Sequence, residues 1–302
     1  MNANGIVEIK RNSRIYPKRL KSIFNSPDKF YCKGNKQLLK NRIVAIVGSR
    51  KCTEYGKIVA YRVAEKLSSN GITVISGLAT GIDEFAHKGA LAGIGSWKGN
   101  KSNDSETAPG STIAVLAGGL GKCYPAKNKR LFQRIGEVGL LISEQEDDYE
   151  ARRYDFPLRN RIISGLAESV VIVEAADGSG SLITAGLALS EGRNVYAVPG
   201  NINSSQSLGT NKLIKEGAEP LITVNDILVD MGIEPKVEKR VVKNLSKDEE
   251  EIYKLALKRG EISFEELSFL TGFDMAKIKG VSTVLEIKGV ITTALGKIYV
   301  AK

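Results

Sequence analysis

Histidine and tryptophan each occur once in this 302-residue chain, and cysteine only three times. Cys32, Cys52 and Cys123 are scattered, too few and too far apart for a disulfide framework or a four-ligand structural zinc site. A lone histidine excludes a His-rich metal centre. No apolar run approaches the ~20 residues of a membrane span, and Met1 to Lys10 is polar, without the apolar stretch of a signal peptide. These absences predict a protein of the reducing cytoplasm, with no metal, no cofactor and no membrane association, whose length suffices to bury its own core.

Acidic residues are also in deficit: 34 against 44 Lys and Arg, a formal net charge of +10. A surplus of that size selects a polyanionic partner, either nucleic acid or an anionic membrane surface. The first forty residues hold much of the basic character, with Lys10, Arg11, Arg14, Lys18, Arg19 and Lys21 among them and little periodicity. Residues 1–40 therefore read as a basic N-terminal arm.

From Arg42 onward, strand, glycine turn and helix repeat. RIVAIVGSR, ITVISG (Ile72 to Gly77), STIAVLAGG, LLISE (Leu140 to Glu144), VVIVEA (Val170 to Ala175) and VYAVPG (Val195 to Gly200) are continuously apolar strands, with PLITV near Pro220 as a last edge strand. Helical periodicity between them predicts a parallel sheet covered on both faces, a doubly wound α/β domain over residues 41–232. The polar stretch Gly93 to Ser111 reads as a loop, and the charged residues 233–246 as a linker. Residues 247–302 then offer three helical stretches, a capping box at Ser263 and Glu266, and a terminal hairpin around Leu295–Gly296–Lys297. That order fits a small winged-helix domain, and a generic helical bundle with a hairpin would present the same pattern.

Four segments fall beyond the carboxyl ends of the strands, where a doubly wound sheet binds ligands. In GSRKCTEYG, Gly48 allows a tight turn and Arg50 and Lys51 bring two cations to it. In SGLATGIDEFAHKGA, Asp83 stands at a helix start and His87 one turn later. That spacing admits an acid–base pair, but no second histidine or cysteine accompanies it, and a hydrogen-bonded structural histidine is expected. In FPLRNRIISGLAE, Arg159 and Arg161 flank Asn160, two fork-shaped donors suited to phosphate. In EAADGSGSLITAG, a strand ends on Gly178, Ser179, Gly180 and Ser181 before a helix begins, a cradle of amides and hydroxyls for an anion. No GK[ST] follows, so it is not a Walker motif.

Together these segments closely resemble the DNA-processing protein A family, also called Smf. The matching run comprises IVGSR with Thr53 and Tyr55–Gly56, SGLATGID with Ala86–His87, TIAVLAGGL with Tyr124–Pro125 and Asn128, LLISE, FPLRNRIISGL, VVIVEA, GSGSLITA, GRNVYAVPG and GTNKLIKEGA. It covers about Tyr31 to Thr223, and a winged-helix-like tail also occurs in this family. The resemblance implies an extended Rossmann-like domain that forms a homodimer, binds single-stranded DNA and helps load the RecA recombinase during natural transformation. It implies no covalent chemistry: the strand's phosphates enter a cationic groove, and the extended DNA sheds secondary structure and competing single-strand-binding protein. By motif position the DNA-binding residues are Arg50, Arg159, Asn160 and Arg161, with Ser179, Gly180, Ser181 and Thr184 in the cradle and Lys127 and Lys129 joining from the same face. Three departures stand out: Thr80 where the family commonly has Arg, the long Gly93–Ser111 connection, and only about forty residues where many members carry a sterile-alpha-motif-like domain.

Two other readings use the same features. A phosphoribohydrolase-like enzyme of the same superfamily needs a glutamate just after the cradle, and here Thr184, Ala185 and Gly186 follow while the next acid is Glu191, which leaves Glu174 and Asp83 as the possible acids. A nucleotide-sensing regulator would bind duplex DNA through the winged helix, using Lys277, Lys279 and Lys288 near its recognition helix. A solvated lysine face or a protein-docking module accounts for those lysines equally well.

Overall fold

The computed structural model describes residues 5–94, 111–234, 245–294 and 296–300. The chain divides into two compact units, Met1–Lys236 and Val237–Lys302. In the first, β1 (Val7–Lys10), α1 (Lys18–Lys21) and β2 (Lys29–Gly34) precede an alternation of strand and helix. This alternation begins with β3 (Ile43–Val47), α2 (Glu54–Ser69), β4 (Thr73–Ser76), α3 (Ile82–Ile94), β5 (Thr112–Leu116), α4 (Lys129–Val138) and β6 (Leu140–Ser143). It continues through α5 (Asp155–Leu166), β7 (Ser169–Ile172), α6 (Gly180–Ser190), β8 (Asn194–Ala197), α7 (Leu208–Lys215), β9 (Glu219–Pro220) and α8 (Val224–Asp230).

The sheet order is β1-β2-β6-β5-β4-β3-β7-β8-β9. From β6 to β9 the neighbours pair in parallel, as expected of apolar strands joined by helical crossovers. Every residue of β3 is buried, and its side chains alternate between two cores. Ile43, Ala45 and Val47 join Ile163 of α5 and Ala185 of α6. Val44 and Ile46 join Ala64 and Leu67 of α2 and Ala86 of α3. The sheet is therefore covered on both faces, the doubly wound Rossmann-like architecture that the strand composition predicts. Chain direction switches sides between β3 and β7: β4, β5 and β6 extend one way, and β8 and β9 the other. A crevice opens at such a switch point because the loops after the two central strands diverge.

The N-terminal residues do not form a free arm. β1 and β2 are antiparallel strands that extend the sheet beyond β6, and Ile9, Leu20, Ile23, Phe30 and Cys32 are buried in the main core. Sparse apolar side chains alternating with Glu8, Lys10, Lys29 and Lys33 serve one face of an edge pair, so charge hid a strand pattern there. The stretch Gly93 to Ser111 lies outside the described residues except at its ends, as does most of the linker 233–246.

In the second unit, α9 (Lys247–Arg259), β10 (Glu261–Ser263), α10 (Phe264–Thr271), α11 (Met275–Ile287), β11 (Ile291–Ala294) and β12 (Lys297–Val300) surround Ile252, Leu267, Ile278, Leu285 and Ile298. The strands pair antiparallel in the order β10-β12-β11. The element order is helix, strand, helix, helix, strand, strand, and the three-residue β10 is a strand that sequence reading did not include. Ser263 accepts from the Glu266 amide at the start of α10, one of the two hydrogen bonds of the expected capping box, and a reciprocal capping box stands at Ser246 and Glu249 before α9.

Candidate nucleic-acid interface

The crevice at the switch point encloses about 800 Å³. One wall is the turn after β3, Gly48 to Lys51, and the opposite wall is the turn Ala176 to Ser179 leading into α6. Side chains of α5 close it between them, and Tyr124, Ala151 and Arg153 border its outer side.

The α6 wall is built to present polar groups. Gly178 has φ +70°, a conformation that costs glycine little, and it turns the chain into the helix. Ser179 is the N-cap: its Oγ accepts from the Ser181 amide at 3.4 Å and shares a 2.8 Å hydrogen bond with Ser181 Oγ. The first amides of α6 and the positive end of its dipole face the crevice with Thr184 beneath them. Asn160 joins from α5, its Nδ2 donating to the Gly180 carbonyl at 3.5 Å.

Cations of two kinds surround this cradle. Arg50, Lys51 and Arg153 are exposed on the rim, and the Arg50 guanidinium stands 5.1 Å from the centroid of the Phe156 ring. Arg159 differs: only 7 % exposed, it donates through Nη1 to the Val115 carbonyl at the end of β5. Its guanidinium packs against Gly77 so closely that any Cβ there would overlap it. Burial draws Arg159 down to about 10, while the nearby Asp83 carboxylate acts the other way, so it stays charged at neutral pH.

Asp83 lies in the first turn of α3 and accepts from the Gly77 and Ala79 amides at 3.1 and 3.3 Å. Burial raises it above the usual carboxylate range, opposed by Arg159 and by those amides. Asp83 and Arg159 thus fix the β4–α3 turn as one wall of the site. His87 is structural, as expected. Thr112 Oγ1 donates to the Val74 carbonyl and so receives the His87 Nδ1 proton, at 2.7 Å. Burial, with the charge of Arg159, lowers His87 to about 3 and keeps it neutral.

Seven of the ten sequence-predicted residues line this crevice: Arg50, Arg159, Asn160, Ser179, Gly180, Ser181 and Thr184. Three do not. Arg161 is two residues beyond Arg159, about 200° around the helix, and it turns away to pair with both oxygens of Glu144 at 2.7 and 2.8 Å. Lys127 lies 3.6 Å from Glu84, and Lys129 borders a separate pocket with Ile6, Lys33 and Phe132. Arg153 is the cation that sequence reading missed. Its signal was the pair Arg152–Arg153 just upstream of the Phe156–Arg161 motif.

Of the acids considered for hydrolysis, Asp83 lines the crevice but is held by the Gly77 and Ala79 amides, and the other two are engaged elsewhere. Glu174 accepts from the Thr53 amide and hydroxyl at 2.8 and 2.6 Å, at the start of α2. Glu191 follows the far end of α6, where it accepts from Ser164 at 3.2 Å.

Comparison with known proteins places this geometry in context. The family model described as DNA recombination-mediator protein A matches residues 8–232. The DNA processing protein DprA of Bacillus subtilis is 38% identical over 228 residues, 75% of this chain and 72% of that protein. The X-ray structure of DNA processing protein A from Streptococcus pneumoniae aligns with a TM-score of 0.67 and 38% identity over 74% of each chain. DNA processing protein A from Helicobacter pylori, solved for its single-stranded DNA-binding mode, aligns with a TM-score of 0.65 and 29% identity. That alignment covers 75% of this chain and 95% of the other.

Proposed function

The chain belongs to the DNA recombination-mediator protein A family, and from that premise we propose that it binds single-stranded DNA through the switch-point crevice and hands it to the RecA recombinase. The observation that carries this reading is the convergence of Arg50, Lys51 and Arg153 on the Ser179–Thr184 helix start, around a cavity of about 800 Å³. Exposed cations attract the backbone, the helix start receives one phosphate, and Asn160 adds a neutral donor. Arg159 acts from behind, holding the wall and lending its charge. No step makes or breaks a covalent bond, so the protein acts as a mediator and not as an enzyme. Glu174 and Glu191, tied to Thr53 and Ser164, support that side of the reading.

In this role the protein is a cytoplasmic homodimer, each half holding a short DNA segment in extended form. Extension removes secondary structure and displaces single-strand-binding protein, and a second surface receives the recombinase during natural transformation. Among the described residues no helix is long and apolar enough to cross a membrane.

The test is a salt titration of binding to a labelled single-stranded oligonucleotide against duplex of equal length. Each phosphate contact contributes about 0.7 to the log–log salt slope for a single strand. Arg50→Ala together with Arg153→Ala should therefore weaken binding and flatten the slope by roughly 1.4. Equal affinity for duplex, or a double variant matching wild type, refutes the assignment.

A further inference from the structure

The basic N-terminal segment serves the sheet with its apolar residues, yet its cations have no part in the crevice. From Lys10 to Pro27 the sequence contains six Lys and Arg and no acid. Arg19 pairs with Glu168 at 2.8 Å and Arg11 lies 4.0 Å from Asp28, while Arg14, Lys18 and Lys21 are exposed without an ion pair among the described residues. α1 is anchored below: Leu20 and Ile23 pack against Gly165 of α5. Beyond Ile23 the chain turns sharply, with Asn25 at φ +57°, and leaves Phe24 97 % exposed. A single exposed aromatic side chain carries little meaning by itself, but a contiguous exposed apolar patch marks a binding surface.

Phe24 borders a groove of about 600 Å³ whose other wall is made by Leu158 of α5 and Ile183 and Leu187 of α6. Leu158 and Ile183 are themselves 50 % and 48 % exposed. This groove and the crevice share Pro157 and Ile183, so one leads into the other across the start of α6. Arg161 and Arg193, which also line the groove, are paired with Glu144 and with the groove's own Glu191, whereas Lys18 and Lys21 stand on α1 just before its Ser22–Asn25 wall. Apolar side chains with cations beside them match a chain that alternates flat apolar faces with anions. A second copy of this protein fits poorly, because a two-fold contact would bring the same cations together.

We propose that the single strand leaving the crevice continues over this groove, with bases laid on Phe24, Leu158 and Ile183 and phosphates on Lys18 and Lys21. The proposal rests on the crevice being the DNA site and extends that site along the strand. It also supplies a reason for single-strand preference, since paired bases have no free face to lay on Phe24.

The test uses the full chain and fluorescence anisotropy with oligothymidylates of about 6 and about 20 nucleotides, one confined to the crevice and one long enough to run beyond it. Phe24→Ala should leave the short oligonucleotide unaffected and weaken the long one about 5- to 140-fold, the range for loss of one stacked base. Lys18→Gln with Lys21→Gln should reduce the salt slope for the long oligonucleotide by roughly 1.4 and leave the short one unchanged. All three side chains are exposed, so folding is not at stake.

Variants that bind both lengths like wild type overturn the proposal. So does an equal loss on both lengths, which would move Phe24 into the crevice itself. If Phe24→Ala changes the sedimentation of the protein and leaves DNA affinity intact, the groove is a contact between copies and the proposal fails. Wild type binding neither length overturns both readings. Loss of binding on Arg50→Ala, with the Phe24 and lysine variants inert, leaves the crevice standing and removes only the groove.

Discussion

Replacing Arg159 by methionine separates its structural role from DNA contact. The substitution keeps most of the volume against Gly77 but leaves Asp83 buried without its cation and the Val115 carbonyl without its donor. What is lost is the donor of the Val115 carbonyl and a nearby favourable charge; a buried acceptor left unsatisfied costs about 1–3 kcal/mol. In a unit of this size each kcal/mol lowers Tm by about 2–4 °C, so a drop of roughly 2–12 °C is expected.

Asp83→Asn in the same background should recover part of that loss, since an amide oxygen can still accept from Gly77 and Ala79 without a buried charge. The pH dependence follows from the raised carboxyl of Asp83. A folded state that holds the proton more tightly than the unfolded chain loses stability as pH rises above the unfolded value of about 3.9. The deficit of Arg159→Met should therefore be larger at about pH 8 than at about pH 5. Thermal unfolding of single and double variants by circular dichroism gives the full cycle. An Arg159→Met protein that melts within about 2 °C of wild type would refute the account of a wall-building cation. Absence of rescue by Asp83→Asn would do the same.

Other consequences can be checked with the same preparations. His87 is buried neutral and lowered to about 3, so the unfolded chain takes a proton below pH ~6.5 that the folded chain refuses. Stability should fall by up to roughly 1.4 kcal/mol per pH unit from that point towards pH 3, and His87→Gln should remove this component from urea titrations. Gly77→Ala places a methyl group against the Arg159 guanidinium and should cost about 1–3 kcal/mol by chemical denaturation; a neutral result would mean the arginine has room to move. Leu267 is fully buried in the C-terminal unit, and Leu267→Ala should destabilise that unit by about 2–5 kcal/mol. Proteolysis confined to residues beyond 237, with the α/β unit intact, is the expected readout.

Fold class was legible because the central strands are continuously apolar and the glycine turns fall where they end. Ile43 to Val47 alternates between two cores and carries no charge to obscure the pattern. The edge was not legible: Phe30 and Cys32 serve one face of β2, and Lys29, Tyr31 and Lys33 serve the other. The length of β10, three residues, is below what periodicity can register. For the site, the cradle could be read directly, since Ser179 to Ser181 is a local helix start whose amides must face outward.

The sequence by itself determined the parallel sheet, the cradle at the start of α6 and the surplus of positive charge, because each depends on local composition or short-range period. Only the tertiary structure decided which cations serve the site. Arg159, Asn160 and Arg161 are neighbours in the chain, but each step around α5 turns a side chain by about 100°. One is therefore buried against Gly77, one reaches Gly180, and one leaves for Glu144. Phe24 becomes relevant for the converse reason. The packing of α5 against α1 and α6 places residues distant in sequence beside one another, and no local pattern encodes that adjacency.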